Sequence, residues 1–133
     1  MSEARPLEEL SDIERELLRR GLLEWHGPAR GTEEFAVAMG FADLDSLLRE
    51  GRRIRGSLAG GEPLEPMDWA RALLATEIAF ASDVVGSGHD WSITTGLSDE
   101  ETVRTLRSIQ RKLAHVVASL VGTTLGTRSS SRA

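Results

Sequence analysis

Few side chains in this sequence have both the type and the spacing to carry chemistry. Glu77 is the sharpest case. It sits near the middle of Pro66–Val85 (PMDWARALLATEIAFASDVV), the longest run that is apolar on most of its helical circumference. A carboxylate in such an arc either takes up a proton or finds a cation, because burying it alone carries a large desolvation penalty. Arg104, Arg107 and Arg111 recur at three- and four-residue spacing in the next helical segment and are the expected partners, with a Trp N–H as another. The expectation is a buried polar residue in a structural ion pair. A general acid or base with a raised pKa would need a second catalytic group, and none is spaced to join it.

The segment 86–97 (GSGHDWSITTGL) is the other concentration of reactive types. A Ser–His–Asp set is nominally present there, but adjacent His89 and Asp90 point apart, so a triad is not expected. Trp91 either anchors the loop or meets a partner, where Trp is a common hot spot. His89, Asp90 and Trp91, together with Arg104, Arg107 and Arg111, make the expected partner-binding set. The histidines His26, His89 and His115 are too far apart for any zinc-type spacing, and the acids show no calcium-loop pattern. A metal site built from Glu77, Asp83, His89 and Asp90 is the only available combination, and it is disfavoured. Gly86-Ser87-Gly88 lacks the preceding strand and following helix of a phosphate cradle and reads as a turn. No catalytic residue, metal or cofactor is expected. His26 reads as a helix-terminus residue.

The elements that must hold these residues are helical. Leu7–Trp25 reads as one helix, with Ser11 and Glu14 as a capping box and Leu10, Ile13, Leu17, Leu18, Leu22 and Trp25 at helical spacing. A short second helix follows Thr32 and stops at Gly40. A third spans about 43–58, with Leu44, Leu47, Leu48, Ile54 and Leu58 on one side and Arg49 and Arg53 on the other. Ala59-Gly60-Gly61-Glu62-Pro63 breaks the chain before the apolar helix 66–86, which starts on Pro66 and is expected to be central. On that helix Trp69, Leu73, Leu74, Ile78 and Phe80 fall in the apolar arc, and Ala72, Ala75 and Ala79 make a side open to close approach. Ser98 and Glu101 cap a last helix to about 120, with Val103, Leu106, Leu113, Val117 and Leu120 on its buried stripe. The polar segment 122–133 reads as a flexible, disordered tail. The predicted fold is all-α: an irregular bundle of about five helices in one domain, 1–121, since no heptad persists through several turns.

Composition narrows the function classes. The 133 residues suffice for one domain with a core. There is no cysteine, so disulfides, thiolate catalysis and Cys-ligated zinc are out. No run of 18 apolar residues and no apolar N-terminal leader occurs, which points to a cytoplasmic protein. Fifteen of the sixteen basic residues are Arg, a bias expected of a GC-rich bacterial genome. The net charge of −5 is asymmetric: residues 1–101 hold 10 basic against 21 acidic groups (−11), and residues 102–133 hold six basic and no acidic ones (+6). Such a split either binds the last helix to an acidic body or offers a basic face to a partner.

Residues 32–55, TEEFAVAMGFADLDSLLREGRRIR, resemble a helix-turn-helix, with Ala36 and Gly40 at the familiar separation and an Arg-rich segment after them. The resemblance implies DNA binding through Arg49 and Arg53. Leu44, Leu47 and Leu48 are displaced from that motif's apolar positions, and Asp43 and Asp45 would face phosphates. The favoured reading is a small non-enzymatic protein-interaction or regulatory protein, for example toxin-neutralising or regulator-binding, whose partner is another protein and not a membrane. A DNA-binding regulator using 32–55 and a small enzyme built on Glu77 and the 86–97 loop are the alternatives.

Overall fold

Two helix starts in this chain are written locally as serine–glutamate pairs, and both pairs form. In the computed structural model, which describes residues 4–26, 32–82, 91 and 95–132 (the backbone alone for Ala4, Arg5, Val117 and 121–132), Ser11 Oγ accepts from the Glu14 N–H at 3.2 Å. Glu14 Oε1 in turn accepts from the Ser11 N–H at 2.8 Å. Ser98 and Glu101 repeat the exchange at 3.1 and 3.4 Å. Each box satisfies two of the N–H groups that a helix start leaves without intrahelical partners.

The chain is all-α. Among the described residues there are six α-helices and no strand: α1 (Ala4–Glu9), α2 (Asp12–Leu23), α3 (Glu33–Ala38), α4 (Leu44–Gly60), α5 (Pro66–Ala81) and α6 (Asp99–Arg132), with a 3-10 turn at Glu24–His26. The expected first helix is thus two. Ser11 is extended (φ −74°, ψ 168°), so the chain turns a corner between α1 and α2. Arg15 secures the corner by donating from Nη1 to the carbonyls of Leu7 at 3.0 Å and Leu10 at 2.6 Å, where a helix end leaves acceptors open. α4 closes on Gly61 at φ 71°, and the Glu62 N–H donates back to the Ser57 carbonyl at 2.9 Å.

Two ends differ from the sequence reading. α5 stops at Ala81 rather than 86, because Ser82 is extended (φ −93°, ψ 120°). The α6 backbone stays helical to Arg132, past the expected end near 120. The segment read as a tail therefore falls on positions described by their backbone alone.

Packing places α2 at the centre beside α5. It lies against α4, α5 and α6, and buries Leu17, Leu18 and Leu22 almost completely, each worth about 2 kcal/mol of transfer free energy. α5 buries Trp69, Ala72, Leu73, Ala75, Thr76 and Ala79, whereas Leu74 is 39% exposed. The buried face is therefore rotated toward the small-residue side, away from the arc of large apolar residues. The cause is Gly21. A Cβ built there would lie 2.6 Å from the Cα of Thr76, so α2 and α5 touch backbone to backbone at this point, which only glycine permits. Trp25 fastens the crossing, its Nε1 donating to the Ala75 carbonyl at 3.0 Å. On α6 the buried stripe is Thr102, Leu106, Ile109, Leu113 and Val116; Val103, expected inside, is 45% exposed.

Candidate functional site

Among the described residues three carboxylates lie in the interior: Glu14, Glu24 and Asp68. Glu14 does more than cap α2. It accepts from Lys112 Nζ at 2.7 Å and from the Ser108 hydroxyl, both on α6. Burial pushes its carboxyl up, but hydrogen bonds from Lys112, Ser108 and the Ser11 backbone outweigh this and hold it at about 2, against an ordinary 4.5. The chain's single lysine is spent here, joining the basic last helix to the acidic body. Asp68 does the same between α4 and α5, accepting from Arg53 Nη2 at 2.9 Å and Arg71 Nη1 at 3.1 Å. Arg71 extends further, donating from Nε to the Gly40 carbonyl at 2.8 Å and lying 5.3 Å over the Phe41 ring. These acids fasten helices together.

Glu77 is placed differently from the expectation. It is half-buried at the margin of α5, and its partner is Gln110 rather than an arginine, with Gln110 Nε2 donating to Glu77 Oε2 at 2.6 Å. The rotation of α5 about the Gly21 contact is what moves Glu77 out of the core. Gln110, which stands on α6 where an apolar residue would be expected, is explained by the same bond. Its Oε1 accepts from Arg107 Nη1 at 2.9 Å, so Arg107, Gln110 and Glu77 form a chain from α6 to α5.

That chain borders a groove of about 230 Å³ between α5 and α6, lined by Glu77, Phe80, Ala81, Val103, Leu106, Arg107 and Gln110. Arg107 lines the groove, and Arg104 and Arg111, about one turn to either side of it on α6, are exposed. Arg104 pairs only with Glu100 one turn earlier on the same helix, at 3.1 Å, where both are open to water. Such a pair contributes little to folding. On α6, Lys112 bonds the body directly, whereas Arg104 and Arg107 bond side chains of α6 itself.

Trp91, expected either to anchor the loop or to meet a partner, is fully buried. Its Nε1 donates to Thr102 Oγ1 at 2.8 Å, and its ring meets Phe80 edge-on at 5.5 Å. A fully enclosed indole whose N–H is satisfied inside serves as an anchor. His89 and Asp90 lie outside the described residues.

The arginines of the helix-turn-helix-like stretch divide by helix face. Arg49 pairs with Asp45 at 2.7 Å, and Arg53 with Glu50 at 2.8 Å as well as with Asp68. The start of α4 is ringed by carboxylates: Asp43 accepts from the Ser46 N–H at 2.7 Å and Glu33 from the Leu44 N–H at 3.0 Å. The charges of Arg52 and Arg55 lie near enough to His26 to hold its imidazole down; residue spacing in the sequence does not single these two out. Among the described residues no three His, Asp or Glu side chains are grouped to hold a metal ion, and no helix is long and apolar enough to cross a membrane. No family model matches the chain, and comparison with curated proteins and with solved structures finds no match.

Proposed function

We propose that the chain is a non-enzymatic protein-interaction module, regulatory in role, that receives an acidic segment of another protein on the α5–α6 face. The observation that carries this reading is the groove, with its apolar floor of Phe80 and Leu106 beside exposed arginines that α6 does not use to hold the fold. Val103, in its lining, is a large apolar residue left 45% exposed. An apolar side chain of the partner would fill the groove while flanking carboxylates meet Arg104, Arg107 and Arg111. Electrostatic complementarity of this kind sets encounter rate and orientation, and the filled groove sets lifetime.

The DNA-binding alternative draws no support from the arginines that were to carry it, since Arg49 and Arg53 are paired within the fold and carboxylates ring the start of α4. The enzyme alternative would need a second group beside Glu77 able to exchange a proton, and its bonded neighbour there is an amide. The test is a comparison of partner recovery by the full chain and two variants, Val103→Asp and the triple Arg104→Glu/Arg107→Glu/Arg111→Glu. A partner held by the parent chain, and lost by both variants while their thermal unfolding is unchanged, supports the reading. Equal recovery by all three overturns it.

A further inference from the structure

On α2, α4 and α5 every arginine but two is paired with a carboxylate or a backbone carbonyl. Arg52 and Arg55 are not. They stand one helical turn apart on α4, with Arg52 open to water, Arg55 half-buried, and His26 exposed beside them at the end of the 3-10 turn. The Nε of Arg55 is buried with no hydrogen-bond partner. That is a donor on a charged group, withdrawn from water and left unsatisfied.

The surroundings add repulsion. Arg55 is held below the ordinary arginine range by burial and by the charges of Arg52 and Arg19. His26 is held down by burial and by Arg55 and Arg52, while a hydrogen bond to the Leu48 backbone works the other way. Arg19 is already engaged by Glu16 through two nitrogens, at 2.8 and 2.7 Å, and Glu16 also takes Arg20 at 3.1 Å. Glu16, the carboxylate beside Arg19, is therefore occupied, and among the described residues no carboxylate pairs with Arg52 or Arg55.

We infer that Arg52 and Arg55, with His26 beside them, form a binding site for a phosphate-class dianion. Two guanidinium groups one helical turn apart offer donors that match a phosphoryl group's oxygens. A dianion cancels the repulsion that a single chloride leaves in place. The phosphoryl group arrives either as free phosphate or as a monoester on a larger molecule. This site uses α2, the 3-10 turn and α4, so it stands or falls independently of the α5–α6 groove.

The experiment is thermal unfolding of the full chain at fixed pH and fixed ionic strength, titrating sodium chloride against inorganic phosphate in one arm and against phosphoserine in the other. Wild type and Arg49→Gln, whose arginine is paired on the same helix, should rise by about 5 °C at a ligand concentration tenfold above the dissociation constant. Arg52→Gln should lose that rise, and without ligand should melt no lower than wild type, because it removes repulsion rather than a bond. Arg55→Gln should lose it as well. A rise with phosphoserine alone assigns the site to a phosphate monoester, and a rise with both assigns it to the phosphoryl group itself. Absence of any rise in wild type, or a rise that survives Arg52→Gln, overturns the site.

Discussion

Gly21 of α2 and Thr76 of α5 are in such close contact that a methyl group on the glycine would lie 2.6 Å from the threonine Cα. Helix propensity alone favours alanine at position 21 by about 1 kcal/mol. The contact reverses that preference, because the obstacle is backbone, which no rotamer change relieves. Gly21→Ala should destabilise the protein by about 1–3 kcal/mol in denaturant unfolding. Gly56, in the exposed part of α4, has nothing within 4 Å of its would-be Cβ. Gly56→Ala should therefore stabilise by about 0.5–1 kcal/mol. Opposite signs at two helical glycines are the expectation; the same sign at both would mean that α2 and α5 do not cross here.

The same contact explains which parts of the fold were readable in the sequence. Capping boxes, proline starts and glycine stops are local, and Ser11–Glu14, Ser98–Glu101, Pro66 and Gly61 all act as their neighbours imply. The facing of α5 is not local. Large apolar residues suggest that the arc through Leu74 and Ile78 is inward, but the direction of burial is set by how near another backbone can come, and Gly21 of α2 decides that. Leu74 and Glu77 move outward as a result. Glu14 was legible as a cap but not as a buried anion, because its partner Lys112 is 98 positions away. Trp91 was ambiguous for a similar reason: its anchor, Thr102, belongs to the next helix.

Glu14 gives the protein an acid-sensitive joint. Its carboxyl is held at about 2 in the fold against an ordinary 4.5, so the folded state favours the charged form. The stabilisation is fully present above pH 4.5 and is lost as the pH falls from there through 2, and amounts to about 3 kcal/mol. Stability measured by denaturant unfolding should decline across that window in the parent chain. In Glu14→Gln the starting stability should be lower and this part of the decline absent. An unchanged acid slope in the variant would show that other carboxylates govern it.

Asp68 ties α4 to α5 through two arginines of unequal standing. Arg53 is more exposed and has Glu50 as a second carboxylate partner. Arg71 is more enclosed, and also holds the Gly40 carbonyl and the Phe41 ring. Arg71→Gln should therefore cost about 1–3 kcal/mol, and Arg53→Gln less than about 1 kcal/mol. Asp68→Asn should exceed Arg53→Gln, because it removes the negative charge that both arginines meet and sets an amide NH2 against one of them. A double-mutant cycle between Asp68 and Arg71 should return positive coupling; equal losses at the two arginines would contradict the ranking.

The two roles open to Trp91 separate cleanly in stability measurements. All three tryptophans, Trp25, Trp69 and Trp91, are buried, so native fluorescence should be blue-shifted and poorly quenched by acrylamide, with no exposed component. Trp91→Phe keeps an aromatic ring against Phe80 but removes the donor to Thr102 and leaves a gap at the ring's outer edge. Loss of that hydrogen bond and of packing should lower stability by about 1–3 kcal/mol. Thr102→Val removes the acceptor from the other side and should cost less in Trp91→Phe than in the parent chain, because the bond it breaks is already gone. A tryptophan serving as a surface contact would behave otherwise: Trp91→Phe would shift stability by no more than about 0.5 kcal/mol, and Thr102→Val would cost the same in both backgrounds.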